Sequence, residues 1–215
     1  MELDEHEQGE LVQKWLRQNG SSLITGIAMG LALVFAWQWW QGKGNRHQEE
    51  AAGQYQAFTD ALDAKDAAKA RTFSALLSDK YSDTAYSDLA VLRNAAFLHN
   101  AGKTDQAVKL LKAAQPKVKQ ADMAEMFSLR LGRLLLIAGK TDQAAKQVAS
   151  ISNPHFPAIA NELRGDIAAA KGQRDEARKA YQAALTTLDQ AAPTRNLLEL
   201  KLIDTGGQPP AKPET

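Results

Sequence analysis

Cysteine is absent from this 215-residue chain, which excludes a disulfide framework and any zinc site built on thiolates. The histidines, His6, His47, His99 and His155, are too scattered to form a helical metal pair. No G-x-S-x-G, H-E-x-x-H or phosphate-loop pattern is present. Gly139-Lys140-Thr141 looks like the end of a Walker motif, but Leu134 stands where that motif needs its first glycine. Runs of lysine and arginine are missing too. The formal charge is +1 and basic residues alternate with acidic ones, so nothing marks a nucleic-acid binder. β-Branched runs are scarce, whereas Ala, Leu, Gln and Lys are plentiful, a balance that favours helix. The absences leave no constellation for catalysis, cofactor or metal. They point to an all-α protein that works by binding.

One long hydrophobic run is present, Leu23–Trp40, with Gln38 its only strongly polar side chain. At about 1.5 Å per residue it spans roughly 27 Å, close to the hydrocarbon thickness of a bilayer. Trp15 precedes it and Trp37, Trp39 and Trp40 close it, as two interfacial aromatic belts do. A core helix would rarely carry three indoles at one end and charges at both. A cleaved signal peptide would begin short and basic, whereas Glu2, Asp4, Glu5, Glu7 and Glu10 make this start long and acidic. An uncleaved single-span anchor fits better. Lys14 and Arg17 before the span balance Lys43 and Arg46 after it, so charge does not set its orientation. Ser22, Gly26 and Gly30 form a small-residue stripe on which two membrane helices can approach closely. Leu11, Val12, Trp15 and Leu16 share a helical face that suits an interfacial lead-in, and Gly42 and Gly44 mark a boundary after the span.

Beyond it the chain repeats itself. "AGKTDQA" occurs at Ala101–Ala107 and again at Ala138–Ala144, and a looser copy, "KGQRDEA", runs from Lys171 to Ala177. The intervals between the closing alanines are 37 and 33 residues, and a period near 34 in helix–turn–helix units is the mark of a tetratricopeptide-type array. Gly102, Gly139 and Gly172 are placed to end one helix in the left-handed conformation. Thr104 and Thr141 are placed to cap the next, with Asp105 and Asp142 in its positive first turn. Ala95, Gly132 and Gly165 are the small positions of the first helix. Ala107, Ala144 and Ala177, then Leu111, Val148 and Tyr181, are the small and bulky positions of the second. Pro116 and Pro154 follow helix ends. Gly53–Lys80 reads as a degenerate earlier pair, with Tyr55, Phe58 and Leu62 facing Phe73, Leu76 and Leu77. Arg195–Asp204 reads as a terminal capping helix. The organisation expected is therefore an acidic, amphipathic segment (1–22), a transmembrane helix (23–41), a linker (42–50), the repeat domain (51–204) and a disordered tail (205–215).

Aligning the units on Ala107, Ala144 and Ala177 gives a candidate partner-binding row on the first helices: Leu92, His99 and Asn100; Leu129, Arg133, Leu136 and Ile137; Glu162 and Asp166. Arrays of this kind commonly bind extended partners in the trough that such positions line. A water-facing row of Leu and Ile needs a cover, either the capping helix through Leu197, Leu198 and Leu200 or a partner segment.

Two stretches, Ser82–Leu111 ("SDTAYSDLAVLRNAAFLHNAGKTDQAVKLL") and Glu162–Leu185 ("ELRGDIAAAKGQRDEARKAYQAAL"), resemble the YfgM family of proteobacterial inner-membrane proteins. The order of acidic start, single span, repeat domain and final "RNLLELKL" helix is similar as well. The resemblance implies an N-terminus in the cytoplasm and a repeat domain in the periplasm. It also implies a non-enzymatic role beside the SecYEG translocon with a PpiD-like periplasmic chaperone, in contact with exported polypeptides. Restraint of an envelope stress-response regulator is a second role attributed to that family. A proline-rich tail beyond Gly206 is not part of the family pattern.

Overall fold

The computed structural model describes the backbone of residues 5–209 and the side chains of 13–40 and 43–209. Every regular element among them is helical. The chain divides into two compact units, Met1–Gly53 and Gln54–Thr215, and the first helix, α1 (Glu5–Asp63), crosses that boundary.

In the first unit every side chain from Leu23 to Trp40 is exposed. A core helix would bury one face, and none of this window is buried. Among the described residues α1 is the one helix long and apolar enough to cross a membrane. Trp37 and Trp40 meet edge to face at 6.1 Å, and Lys43 Nζ lies 3.9 Å from the centre of the Trp39 ring. Indoles and a cation thus gather at one end of the apolar run, as interfacial anchors do. Trp15 and Leu16 are exposed, while Leu11 and Val12 lie outside the described side chains. The linker expected over 42–50 is helical instead. Each glycine there costs an exposed helix about 1 kcal/mol. That weakens a helix without breaking it, and no proline stands nearby to stop it.

The second unit is a stack of hairpins. Its helices are α2 (Ala67–Lys80), α3 (Ala85–Asn100), α4 (Thr104–Ala114), α5 (Ala121–Ile137), α6 (Thr141–Ala149), α7 (Pro157–Ala170), α8 (Arg174–Thr187) and α9 (Arg195–Asp204). Three hairpins, α3/α4, α5/α6 and α7/α8, pack one upon the next, and α9 packs on α8. The first helix of each hairpin is here the A helix and the second the B helix. The expected earlier pair is present. Phe58, Leu62 and Leu77 are buried, Phe73 and Leu76 half-buried, and Tyr55 tilts against Tyr86 at 5.8 Å. Asp66 caps α2 by accepting the Lys69 N–H at 3.1 Å.

The repeated letters are the hairpin turn. Gly102, Gly139 and Gly172 have φ of +74°, +72° and +75°. Each N–H closes on the carbonyl three residues back, and the next N–H closes five back, as Lys103 does on Leu98 at 2.8 Å. This is the Schellman closure. The same Lys103 then offers its carbonyl to the N–H of Ala107 at 3.1 Å, and Lys140 does so for Ala144 at 3.0 Å. One residue finishes one helix and begins the next, which leaves no free position for a threonine cap. Thr104 and Thr141 are accordingly the first residues of α4 and α6, and the cap positions are Lys103 and Lys140. Asp105 and Asp142 do sit in the first turns. They receive the lysine of the following turn, Lys140 at 2.6 Å and Lys171 at 2.7 Å, so the copies are bridged as well as repeated.

Inside the hairpins small faces large. Ala95, Ala107, Ala144 and Ala177 are wholly buried, and so, to within a few per cent, are Leu111, Val148 and Tyr181. A Cβ added to Gly132 would stand 3.0 Å from Val148 Cγ2; one added to Gly165 would stand 2.3 Å from Tyr181 Cε1. One core cluster runs from Leu92 in α3 to Ile167 in α7, and a second joins α8 to Leu198 and Leu202 of α9.

Two expectations change at the C-terminal end. Of the leucines given as one of two covers for the A-helix row, Leu198 is buried, but Leu197 and Leu200 are 53% and 59% exposed, because α9 lies on α8 by its other face. The tail is ordered through its first residues. Gly206 has φ +83°, and its N–H and that of Gly207 close on Ile203 and Leu202 in the same Schellman pattern. Gly206 follows Gly172 by 34 residues. The α9 helix is therefore the A helix of a further, partial unit. Residues 210–215 lie outside the described range.

Candidate interaction surface

The A helices α5, α7 and α9 bring together most of the polar side chains singled out from the sequence. Lys201 of α9 donates to Glu162 Oε1 at 2.7 Å and to Asp166 Oδ1 at 2.8 Å, both on α7. The Tyr181 hydroxyl of α8 donates to Asp166 Oδ1 at 2.9 Å. Arg133 of α5 reaches the other oxygen of Glu162 only at 3.7 Å. Burial opposes the charge on Lys201, but the hydrogen bonds and charges of Asp166 and Glu162 outweigh it and its pKa is raised. The Tyr181 phenol is pushed far above its usual range, first by burial and then by the charge and hydrogen bond of Asp166. The network is thus an ammonium between two carboxylates, with a phenol that stays protonated, and it ties the partial last unit to the one before.

The other candidates fall in different places. Leu92 and Leu129 are buried, so the expected water-facing row is broken at both. Neighbouring A helices pack directly on each other, α3 on α5 and α5 on α7, and close over the leucines between them. His99 is half-buried, its Nδ1 3.0 Å from Thr104 Oγ1, where it ties α3 to the start of α4. Leu136 is half-buried against the core, whereas Ile137 is 55% exposed and Asn100 is exposed. Ser22, Gly26 and Gly30 belong to the first unit, where they are exposed and a Cβ on either glycine would meet nothing within 4 Å.

Sequence reasoning missed the opening beside this network. A cavity of about 130 Å³ lies between α5 and α7, lined by Met126, Leu129, Arg130, Arg133 and Ile159. It also missed Lys201. The signal for Lys201 was available in the 34-residue interval to Gly206, which puts it five residues before a turn glycine, in register with Leu134 and Ile167. Glu125 was missed as well. It is buried, and its two oxygens accept the N–H groups of His155 at 2.6 Å and Phe156 at 3.0 Å, capping α7 from the preceding A helix.

Stacked A/B hairpins with left-handed glycine turns, small-against-large crossings and a polar network shared by successive A helices define a helical-repeat protein. A family model described as a tetratricopeptide repeat-like domain matches residues 13–207, and the chain belongs to that family. Curated relatives carry the name "Ancillary SecYEG translocon subunit". The protein of that name from Escherichia coli strain K12 is 24% identical over 203 residues, covering 93% of this chain and 95% of its own. Those from Aggregatibacter actinomycetemcomitans and Haemophilus influenzae are 24% and 23% identical over 182 residues, covering 85% of this chain and 89% of each relative. The resemblance to the YfgM family read from the sequence agrees with these relatives.

Proposed function

We propose that the chain is a non-enzymatic, single-pass inner-membrane adaptor of the SecYEG translocon. Residues 1–22 lie in the cytoplasm, 23–41 cross the bilayer, and the repeat domain (51–204) stands in the periplasm. There it holds a PpiD-like chaperone and passes exported polypeptides to it. The observation that carries this reading is one of order. A single apolar helix precedes a tetratricopeptide-like domain, and near-full-length relatives with the same domain bear the translocon-subunit name. The members of the A-helix row that keep access to solvent, the exposed Asn100 and Ile137 and the half-buried Arg133, Glu162 and Asp166, are the proposed partner-facing residues, and Ser22, Gly26 and Gly30 the proposed membrane packing face.

The test is photo-crosslinking in native membranes from Asn100, Ile137 and Ser22, with the partners identified. Translocon subunits from Ser22 and a periplasmic chaperone from the other two are expected. Recovery of neither sinks the adaptor role. Protease added to spheroplasts checks the orientation: a repeat domain that stays protected until the membrane is broken lies on the cytoplasmic side.

A further inference from the structure

The cavity between α5 and α7 has the chemistry of a side-chain pocket with a charged mouth. Met126, Leu129 and Ile159 supply an apolar lining. Leu129 is only 3% exposed, so it forms floor rather than rim. The volume, about 130 Å³, is close to the roughly 150 Å³ that admits one benzene molecule. A branched aliphatic side chain fits that space.

The mouth carries two guanidinium groups on one face of α5, since Arg130 and Arg133 are three residues apart. Arg130 is exposed and makes no ion pair among the described residues. Arg133 Nη2 is closed off from solvent and has no hydrogen-bond partner. Its nearest carboxylate, Glu162, is 3.7 Å away and already holds Lys201 at 2.7 Å. That nitrogen is out of a ligand's reach, but the Arg133 side chain as a whole is 42% exposed, so the rest of its guanidinium presents charge at the mouth to an incoming carboxylate. The fork geometry of arginine suits a carboxylate in particular.

We propose that this pocket binds an extended segment of a partner protein through an aliphatic side chain inserted between α5 and α7 and a carboxylate two residues away held by Arg130 and Arg133. In an extended chain residues two apart point to the same side, so an aliphatic anchor and an acid in that spacing reach pocket and mouth together. The proposal rests on the reading of the A-helix face as the partner surface and names what that face selects.

The experiment uses the full chain in lipid nanodiscs and fluorescence polarisation. The probes are Gly-Ser host peptides carrying Leu-Gly-Asp, Leu-Gly-Asn, Ala-Gly-Asp, or a chain-terminal Leu with its free carboxylate. Leu-Gly-Asp is expected to bind best, with each single replacement weakening it about tenfold. Arg130→Gln with Arg133→Gln is expected to abolish the preference for Asp over Asn and to keep that for Leu over Ala. Met126→Trp, which fills the pocket, is expected to remove both. Thermal melting checks that the variants fold, and the arginine pair, being at the surface, keeps the test decisive if Met126→Trp does not. Equal binding of Leu-Gly-Asp and Leu-Gly-Asn overturns the proposal, as does no binding by any peptide. Binding of the chain-terminal leucine alone overturns the internal acid. Failure of the wider reading looks different: a wild-type chain that co-purifies no translocon subunit refutes the adaptor role whatever the peptides do.

Discussion

Replacing Gly165 by alanine tests the packing of the last hairpin most directly. An added Cβ would lie 2.3 Å from Tyr181 Cε1 and 2.5 Å from Cδ1, far inside contact distance. The ring cannot easily swing away. Tyr181 is buried, its hydroxyl is bonded to Asp166, and Asp166 is bonded to Lys201. Overpacking of this kind costs about 1–3 kcal/mol, and the anchored ring puts this case at the upper end. Alanine recovers about 1 kcal/mol of helix propensity. The net expected loss is about 2 kcal/mol, or roughly 4–8 °C in melting temperature for a domain of this size. Gly132→Ala is the internal control. Its Cβ would stand 3.0 Å from Val148 Cγ2 and 3.2 Å from Leu163 Cδ2, both the ends of movable side chains. There the gain and the loss nearly cancel. Tyr181→Val, which copies the Val148 environment, should restore part of the stability of Gly165→Ala in a double-mutant cycle. The assay is thermal unfolding of the full chain in mild detergent, followed by circular dichroism. An unchanged melting temperature for Gly165→Ala, or equal losses at the two glycines, refutes the small-against-large account of the crossing.

Glu125→Ala leaves two N–H groups at the start of α7 without their charged acceptor. The domain should lose about 2 kcal/mol, read by urea unfolding. The Asp105 and Asp142 carboxyls are held below the ordinary value of 3.8 by their hydrogen bonds to Lys140 and Lys171. A depressed folded pKa stabilises above the unfolded value and ceases to do so as pH falls through the folded one. The melting-temperature gap between wild type and Lys140→Met with Lys171→Met should therefore be constant above that value and close below it. A gap that persists in strong acid would mean that the lysines act by packing. Gly26→Leu with Gly30→Leu should weaken co-purification of membrane partners and leave the unfolding of the repeat domain unchanged; equal recovery of partners removes the small-residue face from the account.

The turns were legible because their chemistry is local. A glycine at φ near +74° and a buried alanine five residues later are demands that three consecutive copies write in the same letters. The A and B helices and their small crossings follow from that frame. What sequence could not resolve depends on how helices lean on one another. Leu129 and Ile137 look alike as letters on one helix, yet α7 closes over the first and leaves the second exposed. The threonine caps failed for a related reason, since cap preference assumes a free residue before the helix and the Schellman turn leaves none. The Arg130–Arg133 pocket needs the distance between two A helices, and the Glu125 cap spans 30 residues. No periodicity encodes either.

Because one residue both closes the end of one helix and caps the start of the next, a hairpin has no slack at its bend. The A-to-B turn behaves as a weld. Segments of six or seven residues, such as 115–120 and 150–156, separate each B helix from the next A helix, and neighbouring hairpins meet through less contact there than the two helices of a hairpin share. These are the joints. Strain applied to the array should therefore divide the domain into solid pieces two helices long, with lysine–aspartate ties from each bend to the next acting as springs rather than rivets.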